Sequence, residues 1–223
     1  MNIFPIGTIS GATSAGSIGS LFEPNAGAKS YKVYNNLITP FQNQTLLTRK
    51  KSDPFLMLEY EYSDIFSREY RQIEHFVSLM EDGLTSFYVV DWHNGITPSA
   101  VVINGSDWKV SLDDTRLFST VSNQKANKAF LWDGSNWKEG DVISITANSF
   151  MIVDIDTNNY GALTLAKANS DAVIYPLYQC FLVPNALENF TKGNFVPKLD
   201  ITNSTDGGFM MSGTITFVSK YKV

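Results

Sequence analysis

Cysteine is almost missing from this chain of 223 residues: Cys180, in the apolar run YPLYQCFLV, is the only one. No disulfide can form within the chain, and the usual zinc ligand sets cannot be assembled. A lone cysteine in such a run reads as a buried thiol on a strand rather than a nucleophile. Long apolar runs are missing too, since none approaches the ~20 residues of a membrane-crossing helix. The opening MNIFPIGTISGATSAGS has neither the basic start nor the continuous apolar middle of a secretory signal, so the expected place of synthesis is the cytoplasm. Charge is sparse, at 17% of residues against the ~25% usual for soluble domains. The formal net charge of -5 and a single basic cluster, TRKK at 48–51, exclude a surface built to neutralise phosphates, and no specific nucleic-acid binding is expected.

Motifs that carry chemistry are equally scarce. Gly11, Gly16 and Gly19 precede no lysine-bearing phosphate loop, and no GxSxG elbow exists. His75 falls off the apolar stripe of a helix beside Glu74 and reads as an exposed polar residue. Asp91 and His93 come nearest to an acid–base pair, but strand alternation is read as turning them to opposite faces. DIDTNNYG at 154–161 offers oxygens at calcium-loop spacing, yet Asn159 stands where the loop needs glycine and Leu165 where it needs glutamate, so a hairpin turn is the expectation. No catalytic residue, cofactor or metal ligand is assigned.

What the chain does hold is aromatic residues, 13% of the total, and a succession of short strands. Residues 1–30 are expected to be an arm, because 7–30 are rich in Gly, Ser and Ala; Ile3, Phe4, Ile6, Leu21 and Phe22 could tie it to a neighbouring subunit. Strands follow in YKVYNNLI, QTLLTR and FLMLEYEY. In the last, Leu56, Leu58, Tyr60 and Tyr62 share one face, while Met57, Glu59 and Glu61 share the other and make an acidic outer row.

The stretch SREYRQIEHFVSLMEDGLTSFYVVDWHNG is the most strongly patterned. Ser67 suits an N-cap, Glu69 suits the first turn, and Tyr70, Ile73, Phe76, Val77 and Met80 fall on one helical face over 67–82. Gly83 is placed to end the helix, and LTSFYVVDW reads as a buried strand. One helix laid over a sheet by its apolar stripe is a building unit.

Between residues 93 and 183, strands are expected at 100–104, 108–112, 142–147, 149–155, 161–166 and 173–183. They are separated by NG, DG and EGD turns, so this region reads as an inserted small β-barrel or sandwich. Trp132 and Trp137 bracket one hairpin and are candidates for stacking on a glycan or a partner. The last strand alternates, with Met211, Gly213, Ile215, Phe217, Ser219 and Tyr221 on one face. It is expected to return to the sheet begun before residue 92, giving a core of 31–92 with 184–223.

The stretch LEYEYSDIFSREYRQIEHFVSLMEDGLTSFYVVDW resembles a segment of tailed-bacteriophage tail proteins of the distal-tail and minor-tail group. The matching positions are Leu58 to Tyr62, Ser67, Glu69, Ile73, Phe76, Gly83, Phe87, Asp91 and Trp92, over some 35 of the 223 residues. The resemblance implies a mainly β, α+β fold: a tail-tube-like antiparallel β-sandwich with one flanking helix. It further implies a structural virion protein rather than an enzyme, a homo-oligomer forming a hexameric or trimeric ring between the tail tube protein and the hub or tip proteins, with no membrane association. DNA would pass through its lumen, past Glu59 and Glu61. The alternative is a tail-associated receptor or glycan binder using the inserted β-domain.

Overall fold

The computed structural model describes residues 3–4, 24–34, 36–37, 50–51, 54–80, 85–104, 107–121, 125–132, 137–147, 149–153, 172–196 and 208–222. In chain order the elements are β1 (Ile3–Phe4), β2 (Gly27–Val33), β3 (Asn36–Leu37), β4 (Lys50–Lys51), β5 (Phe55–Phe66), α1 (Ser67–Met80), β6 (Phe87–Val90) and a 3-10 turn (Trp92–Asn94). They continue with β7 (Ala100–Asn104), β8 (Asp107–Ser111), β9 (Lys128–Trp132), β10 (Trp137–Ile145), β11 (Ser149–Val153), β12 (Val173–Leu182), β13 (Thr191–Val196) and β14 (Gly208–Lys222). The fold is mainly β with one flanking helix. Gly83, QTLLTR at 44–49, DIDTNNYG at 154–161, the strand expected at 161–166 and the arm over 5–23 lie outside the described residues.

The main sheet runs β2-β5-β14-β12-β9-β10-β11-β8-β7, with β6 and β1 added on the other side of β12. Its first half folds over on itself, as the aromatic side chains show. In the sheet, β1 is separated from β5 by β6, β12 and β14, which at ~4.8 Å per strand is roughly 19 Å if flat. The rings of Phe4 and Tyr60 are nevertheless only 6.0 Å apart, and Phe4 also meets Phe217 at 4.8 Å. The Tyr60 hydroxyl donates to the carbonyl of Val90 at the end of β6. Two layers therefore face each other, β2-β5-β14 against β1-β6-β12, with the alternating inner residues Leu58, Tyr60, Ile215 and Phe217 fully enclosed.

The helix seals these layers through the stripe its sequence announces. Ile73, Phe76, Val77 and Met80 are buried, His75 is exposed as expected, and Phe76 meets Phe4 at 4.9 Å and Phe87 at 5.0 Å. Burying these four side chains contributes roughly 6–12 kcal/mol before chain entropy is subtracted.

The return strand β14 pairs along β5, as its alternation predicts, and the ladder is interrupted at two bulges. Asp64, at φ 52°, donates its amide to Ser212 Oγ at 2.9 Å beside one of them. Near the other, the Leu56 amide donates to Ser219 Oγ, also at 2.9 Å, so serines replace the lost ladder partners. Gly213 is required for a different reason: a Cβ there would lie 2.7 Å from the Phe190 Cα and 2.8 Å from the Asn189 carbonyl oxygen.

Strand β12 joins the two halves of the molecule. Val173–Leu177 pair with β9, Leu177–Cys180 with β6, and Cys180–Leu182 with β14. The strands of 93–183 thus continue the core sheet through β12, and among the described residues no ladder joins β7 back to β9 to close a barrel. The N-terminal segment departs from a free arm at both ends. Phe4 is fully buried, and β2 begins at Gly27, inside the stretch expected to be arm, where it pairs with β5 from Glu61 to Phe55.

Candidate functional site

The acidic row of β5 faces β2. Directly paired residues include Lys29 with Glu59 and Tyr31 with Met57, and the longer side chains reach along the diagonal. The Lys29 ammonium ion-pairs with Glu61, and the Tyr31 hydroxyl donates to Glu59 at 2.6 Å. The hydrogen bond to Glu61 raises Lys29 above its ordinary value, and the bond to Glu59 pushes Tyr31 up to about 12. Glu59 and Glu61 are thus half-buried and partnered within their own chain, where the sequence alone suggested an open acidic row.

Trp137 and Trp132 are direct cross-strand partners on β10 and β9, and their side chains lie outside the described residues. Cys180 is fully enclosed, and burial pushes its thiol well up, which suits an inert core position.

The structure corrects the reading of Asp91 and His93. Residues two apart share a strand face, so alternation does not set Asp91 and His93 apart; strand β6 in any case ends at Val90, and Trp92–Asn94 form a 3-10 turn. Both residues line one cavity of about 260 Å³, together with Ser30 and Lys32 of β2, Asn94 of the turn, and Arg116 and Lys125 of the segment after β8. Four segments converge there because β6 and the turn run alongside β12 and under β2: the Asp91 amide donates to the Pro176 carbonyl at 2.9 Å, and Ile96 and Ile174 exchange backbone hydrogen bonds at 2.8 Å.

Asp91 forms the floor of this cavity at 1% exposure. Its Oδ2 accepts from Asn94 Nδ2 at 2.8 Å, and the same amide nitrogen donates to Ser30 Oγ at 2.9 Å. Oδ1 is enclosed, with under 1 Å² accessible to water, and takes no hydrogen bond among the described residues. Burial raises the carboxyl above its ordinary range, and the Asn94 amide pulls the other way. Tyr178 beside it is likewise pushed up by burial. At the mouth, Arg116 is held by Asp114 at 2.7 Å, while Lys32 and Lys125 are exposed and make no ion pair among the described residues. Chemically, this is an electropositive mouth above a buried acceptor.

A nucleophile positioned by His93 is not part of the arrangement among the described residues, and no group of His, Cys, Asp and Glu there could hold a metal ion. The signal for this pocket was the NG pair at 94–95, which announces a turn and ends the strand periodicity just before it matters. Gly95 fits because a Cβ there would meet the Tyr175 ring at 2.5 Å. No family model and no curated protein matches this chain.

Proposed function

We propose that the chain is a structural virion protein of a phage tail, a ring-forming distal or minor tail component between the tail tube and the tip. In this reading the two-layered core is tail-tube-like, and residues 93–183 act as an inserted β-domain facing outward. The observation that carries the proposal is the open edge at β2. This seven-residue strand pairs with β5 on one side and with nothing among the described residues on the other, and it exposes Tyr31 and Val33. Natural sheets usually cover, shorten or charge such an edge, and an edge left open is a template for another strand. A head-to-tail contact using it generates a closed ring if the rotation closes.

The helix supports the same reading, since Ile73, Phe76, Val77 and Met80 are spent on the core, while Leu79 is exposed. Glu59 and Glu61 remain the proposed lumen-facing pair. Lys29 neutralises Glu61, so the effect of charge reversal on genome passage is expected to come mainly from Glu59→Lys. Native mass spectrometry followed by negative-stain imaging tests the assembly. Trimeric or hexameric rings are expected, and Val33→Lys should give monomers with an unchanged circular dichroism spectrum. A chain that stays monomeric at every concentration, alone and with purified tail tubes, refutes the proposal.

A further inference from the structure

We propose that Asn94 is a latent deamidation site, held intact while β2 is docked and opened to reaction when β2 leaves. Asn94 and Gly95 lie at the turn that follows β6, and an asparagine before glycine is the pair most open to this chemistry, because glycine has no side chain to shield its nitrogen. In the reaction the Gly95 nitrogen loses its proton and attacks Asn94 Cγ, the Cγ–Nδ2 bond breaks, and ammonia leaves. Water then opens the cyclic imide to aspartate or isoaspartate, with no change of oxidation state. Gly95 is exposed, so that water is at hand. The glycine cannot be exchanged for a safer residue, since a Cβ there would lie 2.5 Å from the Tyr175 ring. Packing therefore fixes the hazard in place, and the fold answers it at the asparagine.

The Asn94 side-chain amide donates to Asp91 Oδ2 at 2.8 Å and to Ser30 Oγ at 2.9 Å, and the Asp91 carboxylate interacts with the Ser30 hydroxyl and the His93 backbone as well. Intramolecular attack needs the reacting atoms close and aligned. To bring Cγ over the Gly95 nitrogen, the amide must turn out of this triangle and give up both bonds. Ser30 lies on β2, which β5 holds on one side only among the described residues, so local opening of β2 removes one of the two restraints. The product does not restore it. A carboxylate at position 94 has no proton to give Ser30 or Asp91, and it sets a second negative charge against a buried one. An opening of β2 is thereby recorded as an irreversible change in the chain. The device does not depend on ring assembly, because all three side chains belong to one chain.

Peptide mapping by mass spectrometry tests it on the full chain, incubated at neutral pH in native buffer and in concentrated urea. Asn104 and Gly105 are the other such pair in the sequence and serve as the reference in urea, where the two asparagines should react alike. In native buffer Asn94 should deamidate at least tenfold more slowly than in urea. Ser30→Ala should speed the native reaction about fivefold, which is what one intramolecular hydrogen bond contributes. Gly213→Ala weakens the fold at the contact with Asn189 and Phe190, away from the triangle, and should leave the Asn94 rate close to that of the wild type. Asn94→Asp carries one of the two products and should speed hydrogen exchange across β2 at least tenfold while leaving β10 unchanged. Equal rates in buffer and urea, a wild-type rate in Ser30→Ala, or unchanged β2 exchange in Asn94→Asp would each overturn the proposal. So would an acceleration by Gly213→Ala as large as that by Ser30→Ala, because the reaction would then follow global unfolding.

Discussion

Replacing Phe4 by alanine tests whether the two layers close in the way the aromatic contacts indicate. Phe4 lies on a strand of only two residues, paired in parallel with β6, and an isolated segment so short has little stability of its own. Its side chain is fully buried against Tyr60, Phe76, Phe87 and Phe217. A phenylalanine buries ~150–250 Å², which at ~25 cal/mol per Å² is roughly 4–6 kcal/mol of transfer free energy. Partial burial in the unfolded chain lowers this figure, and measured Phe→Ala losses in cores run at about 3–5 kcal/mol. The expected cost is therefore about 3–4 kcal/mol. Urea unfolding followed by tryptophan fluorescence and by circular dichroism measures it, with coincident transitions as the check on two-state behaviour. Leu79→Ala, on the exposed side of the helix, is the control and should stay within about 0.5 kcal/mol of wild type. A Phe4→Ala loss below about 1 kcal/mol would mean that β1 does not lie between the layers, and the two-layer argument would fall with it.

Other perturbations probe separate parts of the structure. Gly213→Ala drives a Cβ into the backbone of Asn189 and Phe190, so thermal denaturation should report a loss near ~3 kcal/mol, the upper part of the range for overpacking. Ser219→Ala strips the Leu56 amide of its acceptor in a buried position and should cost ~1–3 kcal/mol by urea unfolding; a neutral outcome would mean the bulge finds another partner. For Asp91, the folded carboxyl titrates above its ordinary value of 3.8, so the folded state holds the proton more tightly than the unfolded one. Its contribution is fully present below that value and is lost as pH rises through the folded pKa. The stability of wild type relative to Asp91→Asn should accordingly fall across that window and then level off, and urea midpoints in a pH series that differ by a constant would contradict the cause given. Glu59→Gln removes the carboxylate that holds Tyr31 up at about 12, and NMR titration of the tyrosine should move down toward 10.0.

Much of the fold could be read from local pattern, because burial is what periodicity encodes. The alternation of FLMLEYEY places Leu56, Leu58, Tyr60 and Tyr62 inside, and all are buried. The helical stripe and the alternation of the final strand hold for the same reason, and the expected strand at 100–104 coincides with β7. Less legible was the start of the chain. Gly, Ser and Ala over 7–30 give no periodic signal, yet Gly27–Val33 form a strand whose order comes from β5 beside it. The acidic row does share a face, but of its partners Lys29 sits in the stretch that composition assigns to an arm, while Tyr31 opens the strand expected in YKVYNNLI.

The cavity over Asp91 was illegible for a more general reason. Its walls come from distant parts of the chain: Asn94 reaches Ser30 across 64 positions, and β2, β6, β12 and the segment after β8 are brought together only by the folded sheet. No period of 2 or 3.6 residues can report such a meeting, because each strand carries its own alternation without reference to the others. Local reasoning also fails at the ends of elements, and Asp91 is one of these: strand β6 stops at Val90, and the 3-10 turn of Trp92–Asn94 that follows brings the Asn94 amide back onto the Asp91 carboxylate. A carboxylate at such a junction, buried with one oxygen bonded by its own turn and the other enclosed, has a desolvation cost that nothing in its own strand offsets. The same junction that ends the strand's periodic signal therefore places a buried carboxylate in a cavity that the exposed Lys32 and Lys125 also line, a meeting that only the folded sheet produces.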